Sequence, residues 1–376
     1  MNGIFVFKRY HCLWRFILVA LATLAATTAF AQSSVTISGQ LDAGIQSQEL
    51  RNGAHADTVG TGIHGASRLR FVGVEDLGGG TKANFWLEMQ PSFQNGSTNA
   101  NLFNRGAWLG LQGNWGEVRL GRQGTNTIGA VCTIDQHGCY SGFSGGGILF
   151  TGQSGPGTSG GGLMLANSTR GGTQAASTDG DSTRYIKSAR YSLPTLVTGL
   201  SVNATYAFGS QGNGTTAQGG STTGVDATYA NGPLAVVFAY QKADADSGAT
   251  AKGELTTIGG TYDLGMVKLG AGIQQEKASG AGVLFTKGDS FALTATVPMG
   301  AFTPYIKYGE HKYSGGTNTV NGTIYNGTNA KVANIGVRYA LSKRSLVYVD
   351  YVQNGASLVD ALSIKQQGSV GIQHNF

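Results

Sequence analysis

From residue 35 to the C-terminus, apolar and polar side chains alternate residue by residue in one segment after another. In 35–46 one face carries Val35, Ile37, Leu41, Ala43 and Ile45, and the other carries Thr36, Ser38, Gln40, Asp42 and Gln46. In 81–90, Ala83, Phe85, Leu87 and Met89 oppose Lys82, Asn84, Trp86, Glu88 and Gln90; in 333–341, Ala333, Ile335, Val337, Tyr339 and Leu341 oppose Asn334 and Arg338. A period of two turns successive side chains to opposite faces of a strand. The pattern predicts sixteen strands, at 35–46, 67–75, 81–90, 104–113, 118–123, 184–193, 200–209, 223–230, 234–243, 254–263, 267–276, 289–297, 302–312, 331–341, 346–353 and 364–376.

A single alternating strand suits a soluble sandwich as well as a membrane barrel; the whole set does not. The polar faces stay polar over about ten residues, the length a tilted spanning strand needs. Tyr206, Phe208, Tyr240, Tyr262, Tyr308, Tyr339 and Tyr351 stand near strand ends on the apolar faces, as in the aromatic girdles of barrels. Short turns such as 113–116, 231–233 and 263–265 alternate with long polar loops such as 210–222, 277–288 and 313–329. Charged residues are only 12%, and glycine is 61 of 376. Past residue 31 no apolar run reaches the roughly 20 residues of a spanning helix. A chain of this kind can cross a bilayer only as a closed barrel, because every lipid-facing backbone group must find its partner within the sheet.

Residues 1–31 read as a secretory signal peptide, with Lys8, Arg9 and Arg15, an apolar stretch from Phe16, and Ala29-Phe-Ala31 as the cleavage pattern. The remainder, 32–376, is expected to be one barrel domain. Twenty-six basic residues less these three leave 23 against 20 acidic, with no basic block, so a nucleic-acid partner is not indicated. Cys12 leaves with the signal, and Cys132 and Cys139 remain as an even pair in an exported chain, where a disulfide persists. Neither cysteine has a nearby ligand pair, so no metal site is indicated, and nothing in the chain calls for a cofactor. His55, His64, His137 and His311 fall in or near predicted loops without a catalytic partner at a useful spacing, and are expected to be solvated. A barrel enzyme is therefore set aside, and so is a repeat adhesin, since no short repeat is present.

Several motifs together carry a family resemblance. These are SVTISGQLDAG from Ser34 to Gly44, SRLRFVGVEDLGGG from Ser67 to Gly80, LGRQ from Leu120 to Gln123, LSKR from Leu341 to Arg344, and VGIQHNF from Val370 to Phe376. The chain resembles the sixteen-stranded trimeric general porins of β-proteobacteria over essentially all of 32–376. The resemblance implies an all-β, antiparallel transmembrane barrel in a Gram-negative outer membrane. It implies a homotrimer set in outer-membrane lipid, passing small ions and hydrophilic solutes. It also implies that the segment 123–183 is the third loop, folded into the lumen, and that Phe376 belongs to a terminal signal read by the barrel-assembly machinery.

The same resemblance sets Arg68, Arg122 and Arg184 on a basic wall at the constriction. Alternation agrees for Arg68 and Arg70, since Leu69 and Phe71 take the apolar face. For Arg122 alternation from Val118 and Leu120 points to lipid, and a local bend is expected to bring it inward. The long loop holds few acids, of which Asp135 is the candidate to face the arginines; Asp42, Glu75 and Glu88 are further candidates for the interior. A ring of one sign selects the opposite ion, so this balance leans toward anions.

Overall fold

The computed structural model describes residues 33–50, 52–98, 102–135, 183–208, 221–244, 252–279, 286–315, 319–320, 323–324, 329–355 and 364–376. The signal segment and most of the long third loop lie outside these residues.

Alternation dictates the architecture. In chain order the strands are β1 (Ser34–Leu50), β2 (His55–Thr61), β3 (Arg68–Gly78), β4 (Thr81–Met89), β5 (Gly106–Gly113), β6 (Gly116–Gly124), β7 (Arg184–Ser192), β8 (Leu200–Ala207), β9 (Thr222–Asn231) and β10 (Leu234–Ala243). They continue as β11 (Lys252–Asp263), β12 (Lys268–Ser279), β13 (Lys287–Thr296), β14 (Phe302–Ser314), the two-residue β15 (Thr319–Val320) and β16 (Thr323–Ile324), β17 (Asn329–Ala340), β18 (Ser345–Asn354) and β19 (Ile364–Asn375). Consecutive long strands pair antiparallel, and β1 pairs with β19 from Gln40↔Asn375 to Leu50↔Ile364, which closes the sheet. All sixteen expected strands are present as the wall. The seventeenth strand of the sheet, β2, and the separate β15–β16 ladder were not anticipated.

The two faces divide as the period requires. Ile37, Ile45, Leu109, Leu120, Ile258, Ile273, Leu293, Ile306, Ile335, Val349 and Val370 are exposed on the outside. Asp42, Glu88, Gln123, Gln274, Ser290, Lys307, Asn334, Asp350 and Gln373 are buried on the inside. Sixteen strands enclose more space than side chains fill, which leaves a water-filled channel. At one rim the turns are tight. Between β3 and β4 the chain reverses through Gly78, Gly79 and Gly80 at φ +82°, +59° and +77°, a conformation that favours glycine.

Two departures from plain alternation shape the interior. First, β1 has two partners on one edge. Its lower part pairs with β3 (Ser34↔Val74 to Gln40↔Arg68), and its upper part pairs with β2 (Ala43↔Thr61 to Glu49↔His55). Residues 62–67 leave the ladder between them. Second, β6 leads into a helix, α1 (Asn126–Ile134), capped by the Thr125 hydroxyl, which accepts from the Ile128 amide. This helix lies on the inward face of β9–β12: Thr127 donates to Gln241 at 2.8 Å and the Ile134 carbonyl accepts from Thr294 at 3.3 Å. Ile128, Ala130, Val131 and Ile134 are buried there, with Val237, Ala239 and Ala292 in the same apolar cluster. Gly259 leaves the necessary room, since a Cβ at that position would lie 2.5 Å from Ile134 Cδ1.

Ile134→Ala removes a fully buried side chain of this contact and should weaken docking of the helix by about 2–5 kcal/mol. Limited proteolysis of the intact, detergent-solubilised barrel is expected to cut within 126–135 faster than in the parent. Equal cleavage rates would show that the helix is held by other means.

Candidate functional site: the inner wall

Asp42 fixes the first inward feature. Its backbone N–H falls in the gap between β2 and β3 and donates to Ser67 Oγ at 3.0 Å; its carbonyl accepts from the Gly62 amide at 2.9 Å. Its carboxylate receives the amides of Ile63 (2.7 Å), Gly65 (3.2 Å) and His64 (3.4 Å), and the Tyr348 hydroxyl at 3.0 Å. One charged acceptor thus satisfies a run of backbone donors that no strand pairs. The excursion 62–67 then reaches across the interior. His64 Nδ1 lies 3.1 Å from Asp350, its ring stacks on Tyr348 at 4.8 Å, and Tyr305 donates to the same Asp350. His64 and His311 are buried, the latter against Ser290, so the expectation that both are solvated loop residues is corrected. His64 is carried inward on the excursion 62–67, and His311 is on the inward face of β14 rather than in a loop.

The second feature is a basic wall on β3–β7. Arg70 and Arg105 share Glu88: Arg70 Nε is 3.1 Å from one carboxylate oxygen and Arg105 Nε is 2.7 Å from the other. The Arg105 carbonyl accepts from Arg184 Nε at 2.6 Å, which ties the root of the long loop to the start of β5. The Thr125 amide donates to the Thr183 carbonyl at 2.9 Å and pinches the loop shut at its base. Arg190 donates to Thr205 and to the Gly124 carbonyl, Arg119 pairs with Glu117, and Arg68 donates to the Ala66 carbonyl at 3.2 Å. These side chains border a recess of about 490 Å³ that contains six arginines (Arg68, Arg70, Arg105, Arg119, Arg184 and Arg190) and two glutamates. Arg105 and Arg119 were not singled out in the sequence, whereas Arg190 shares by alternation the face of Arg184 and Ser188. Arg105 falls within the expected strand 104–113, where alternation would set it outward with Leu109; β5 instead begins at Gly106, and Arg105 turns inward to Glu88.

Three expectations need correction. Arg122 stands across from Ala107 on the face that carries Leu109 and Leu120, and so points outward. The irregularity between Gly121 and Gln123 exists, but it falls on the partner strand, where Lys187 adopts φ +48°; β6 keeps its alternation through Arg122, whose Nε donates to the Asn104 carbonyl. Asp135 does not face the arginines. It is buried at the end of α1 with its carboxylate 3.2 Å from Lys307 Nζ, and the two side chains are 0% and 2% exposed. Glu75 falls on the outward face of β3 beside its exposed turn, by alternation from Arg68 and Arg70. Asp42 and Glu88 do point inward.

Phe376 completes the wall. Its amide and carbonyl both pair with Gly39, and its ring lies where a Cβ at Gly39 would stand, 2.6 Å from Cζ. Cys132 is disulfide-bonded; Cys139 and the expected pairing lie outside the described residues. No helix among the described residues is long and apolar enough to cross a membrane, a criterion that does not concern strands. A second, strongly apolar recess, bordered largely by Leu234, Val236, Phe238, Ile258, Leu269 and Ile306, opens on the outer face and belongs to the lipid-facing surface.

A closed antiparallel barrel with an apolar outside, a polar and charged inside, and a loop helix against its inner wall defines a transmembrane channel. A Gram-negative porin family model matches residues 18–357, and the chain belongs to that family. It is 35% identical over 289 residues, 75% of this chain and 76% of the relative, to outer membrane porin protein 32 of Delftia acidovorans. The fold matches an anion-selective porin from Comamonas acidovorans with TM-score 0.71 and 26% identity, over 92% of this chain and 100% of that one. It also matches OmpT of Vibrio cholerae in its trimer form (TM-score 0.61, 15% identity, 92% of this chain and 99% of the other), a likeness of fold alone. The protein is an outer-membrane porin.

Asp42→Ala should free the excursion 62–67. Each buried amide left without its acceptor costs about 1–3 kcal/mol, on the order of tenfold or more in opening equilibrium. Hydrogen exchange read by mass spectrometry should speed up over 62–67 while the barrel stays folded. Unchanged protection there would remove Asp42 from this role.

Proposed function

We propose that the protein is a weakly anion-preferring channel for passive diffusion of small hydrophilic solutes, a conduit rather than a catalyst. The observation that carries this reading is the imbalance on the inner wall: six arginines border the recess against two glutamates, and both glutamates are engaged in ion pairs. Arginine stays protonated at every working pH. The nearest acid of the long loop, Asp135, is neutralised by Lys307 on β14. The anion-selective Comamonas porin supports the same direction. With Arg122 turned outward and Asp135 paired with Lys307, Arg68, Arg70 and Arg184 are the residues proposed for the constriction.

Three further parts belong to the proposal. Residues 1–31 are removed as a signal peptide, Cys132 pairs with Cys139 within the third loop, and the C-terminal strand ending in Phe376 is read by the barrel-assembly machinery on the way into outer-membrane lipid. The assembly is a homotrimer. Ala43, Gly73 and Ala83 are small residues on the outer face of β1, β3 and β4, and the Phe85 ring occupies the space that a Cβ at Gly73 would need. An outward arginine also sits at less cost against protein than against lipid, where it costs about 2–4 kcal/mol at the bilayer midplane; Arg122 on β6 is such a residue.

The zero-current potential across a planar bilayer under a potassium chloride gradient tests the selectivity. The parent should show faster chloride permeation, more marked at low salt because screening weakens as the Debye length grows. An Arg68→Ser, Arg70→Ser double variant should move the potential toward cations. A cation preference in the parent, or an unmoved potential in the variant, would overturn the proposal. Chemical cross-linking of detergent-purified protein should give a ladder ending at three subunits; monomer alone would exclude the trimer.

A further inference from the structure

The interior of a water-filled barrel is expected to be polar, and on β3–β5 one row departs from this. Val72 pairs with Trp86, and Trp86 pairs with Trp108, so three apolar side chains stand in one row across adjacent strands on the inward face. The two indoles are nearly parallel, with 6.3 Å between ring centroids and 8° between planes. Each carries a guanidinium: Arg70 lies over Trp86 at 5.2 Å and Arg119 over Trp108 at 4.3 Å. Gly106 keeps one end of the row clear: a Cβ there would lie 2.7 Å from Trp86 Cδ1 and 2.9 Å from its Nε1. The row borders the recess of about 490 Å³ described above, together with Val74 and the arginines. That volume is within the roughly 300–1,000 Å³ typical of small-molecule sites.

We infer that the Trp86–Trp108 row, with Arg70 and Arg119, is a binding site for planar aromatic carboxylates in transit through the lumen. Where the two indoles border the recess, a flat ring meets them edge-to-face, and a carboxylate accepts paired hydrogen bonds from the planar guanidinium fork. The excess of arginine over glutamate supplies the charge. Chloride and acetate meet only the charge, and a neutral aromatic meets only the rings. An anion that carries both is retained longer than either. This inference rests on the channel reading above and adds a solute class to it.

The experiment uses the full mature protein in planar bilayers carrying chloride current, with 4-nitrobenzoate as the probe and acetate and 4-nitrobenzyl alcohol as controls. The probe should reduce the current saturably, at a half-blocking concentration about tenfold or more below that of either control, a difference equivalent to one decade in Kd. Trp108→Ala and Trp86→Ala should each raise that concentration several-fold while the zero-current potential keeps its sign. Should either alanine variant fail to assemble, Trp108→Phe keeps a ring and should retain most of the block. Saturable quenching of parent tryptophan fluorescence by 4-nitrobenzoate, with only linear quenching by the neutral alcohol, reads the same site without current. Block by acetate equal to that by the probe, or an unchanged half-blocking concentration in both alanine variants, would overturn the inference. A cation-selective parent potential would count against the anion preference alone, because saturable block by the probe is scored separately.

Discussion

The constraint on which the rest depends is the pairing of every backbone amide and carbonyl inside a medium that offers no water. A flat or open sheet would leave one row of these groups in hydrocarbon at each edge. The ladder between β1 and β19, finished by the double hydrogen bond of Phe376 to Gly39, removes both edges together. The tilt, the closed lumen and the two-faced strands follow from that closure. Even the one place where β1 runs short of partners obeys the rule, because Ser67 and the Asp42 carboxylate take over where β2 stops and β3 has not begun.

Inside, the charges are sorted by wall. The β3–β7 side is an arginine lattice held together by Glu88 and by backbone carbonyls, so most of its guanidinium groups are fixed in place. The β9–β12 side is covered by the loop helix, whose apolar residues dock into space left by glycines and whose terminal acid is matched by Lys307. The charges of the β3–β7 wall are therefore held by hydrogen bonds and ion pairs. A rigid array of charge loses little entropy when a solute passes it.

How much of this could be read from sequence depended on what enforces the pattern. Lipid on one side and water on the other enforce a period of two, and all sixteen wall strands were legible for that reason; in 346–353, Tyr348, Asp350 and Val352 are the inward set. Asp42 stood out as a polar-face residue, but nothing near it announced that six residues would fold in to meet it. The helix 126–134 lay within a glycine-rich loop too long for periodicity to guide, and its apolar spacing became meaningful only against Gly259. Arg122 shows the opposite error. Its sequence context matched the basic wall of a family, while the plain alternation of Val118, Leu120 and Arg122 already gave the outward direction that the register to Ala107 bears out. Local periodicity was the better guide there, because the strand is regular and the irregularity sits on its neighbour.

The inward excursion bears on the order of assembly. Asp42 and His64 come from the first strands made, and their partners Tyr348 and Asp350 come from the last but one, 306 and 286 residues along the chain. Until β18 arrives and β19 seals against β1, the Asp42 carboxylate holds only the amides of Ile63, His64 and Gly65, and the His64 ring lacks Tyr348 and Asp350. Contacts of such long range form late, since the chain between them must first be ordered. The cluster acts as a latch thrown only by completion: a barrel that stalls one hairpin short leaves an acid, an imidazole and a loose polar segment at an unsealed seam. An incomplete subunit is thus marked, by its own first loop, as distinct from a finished one.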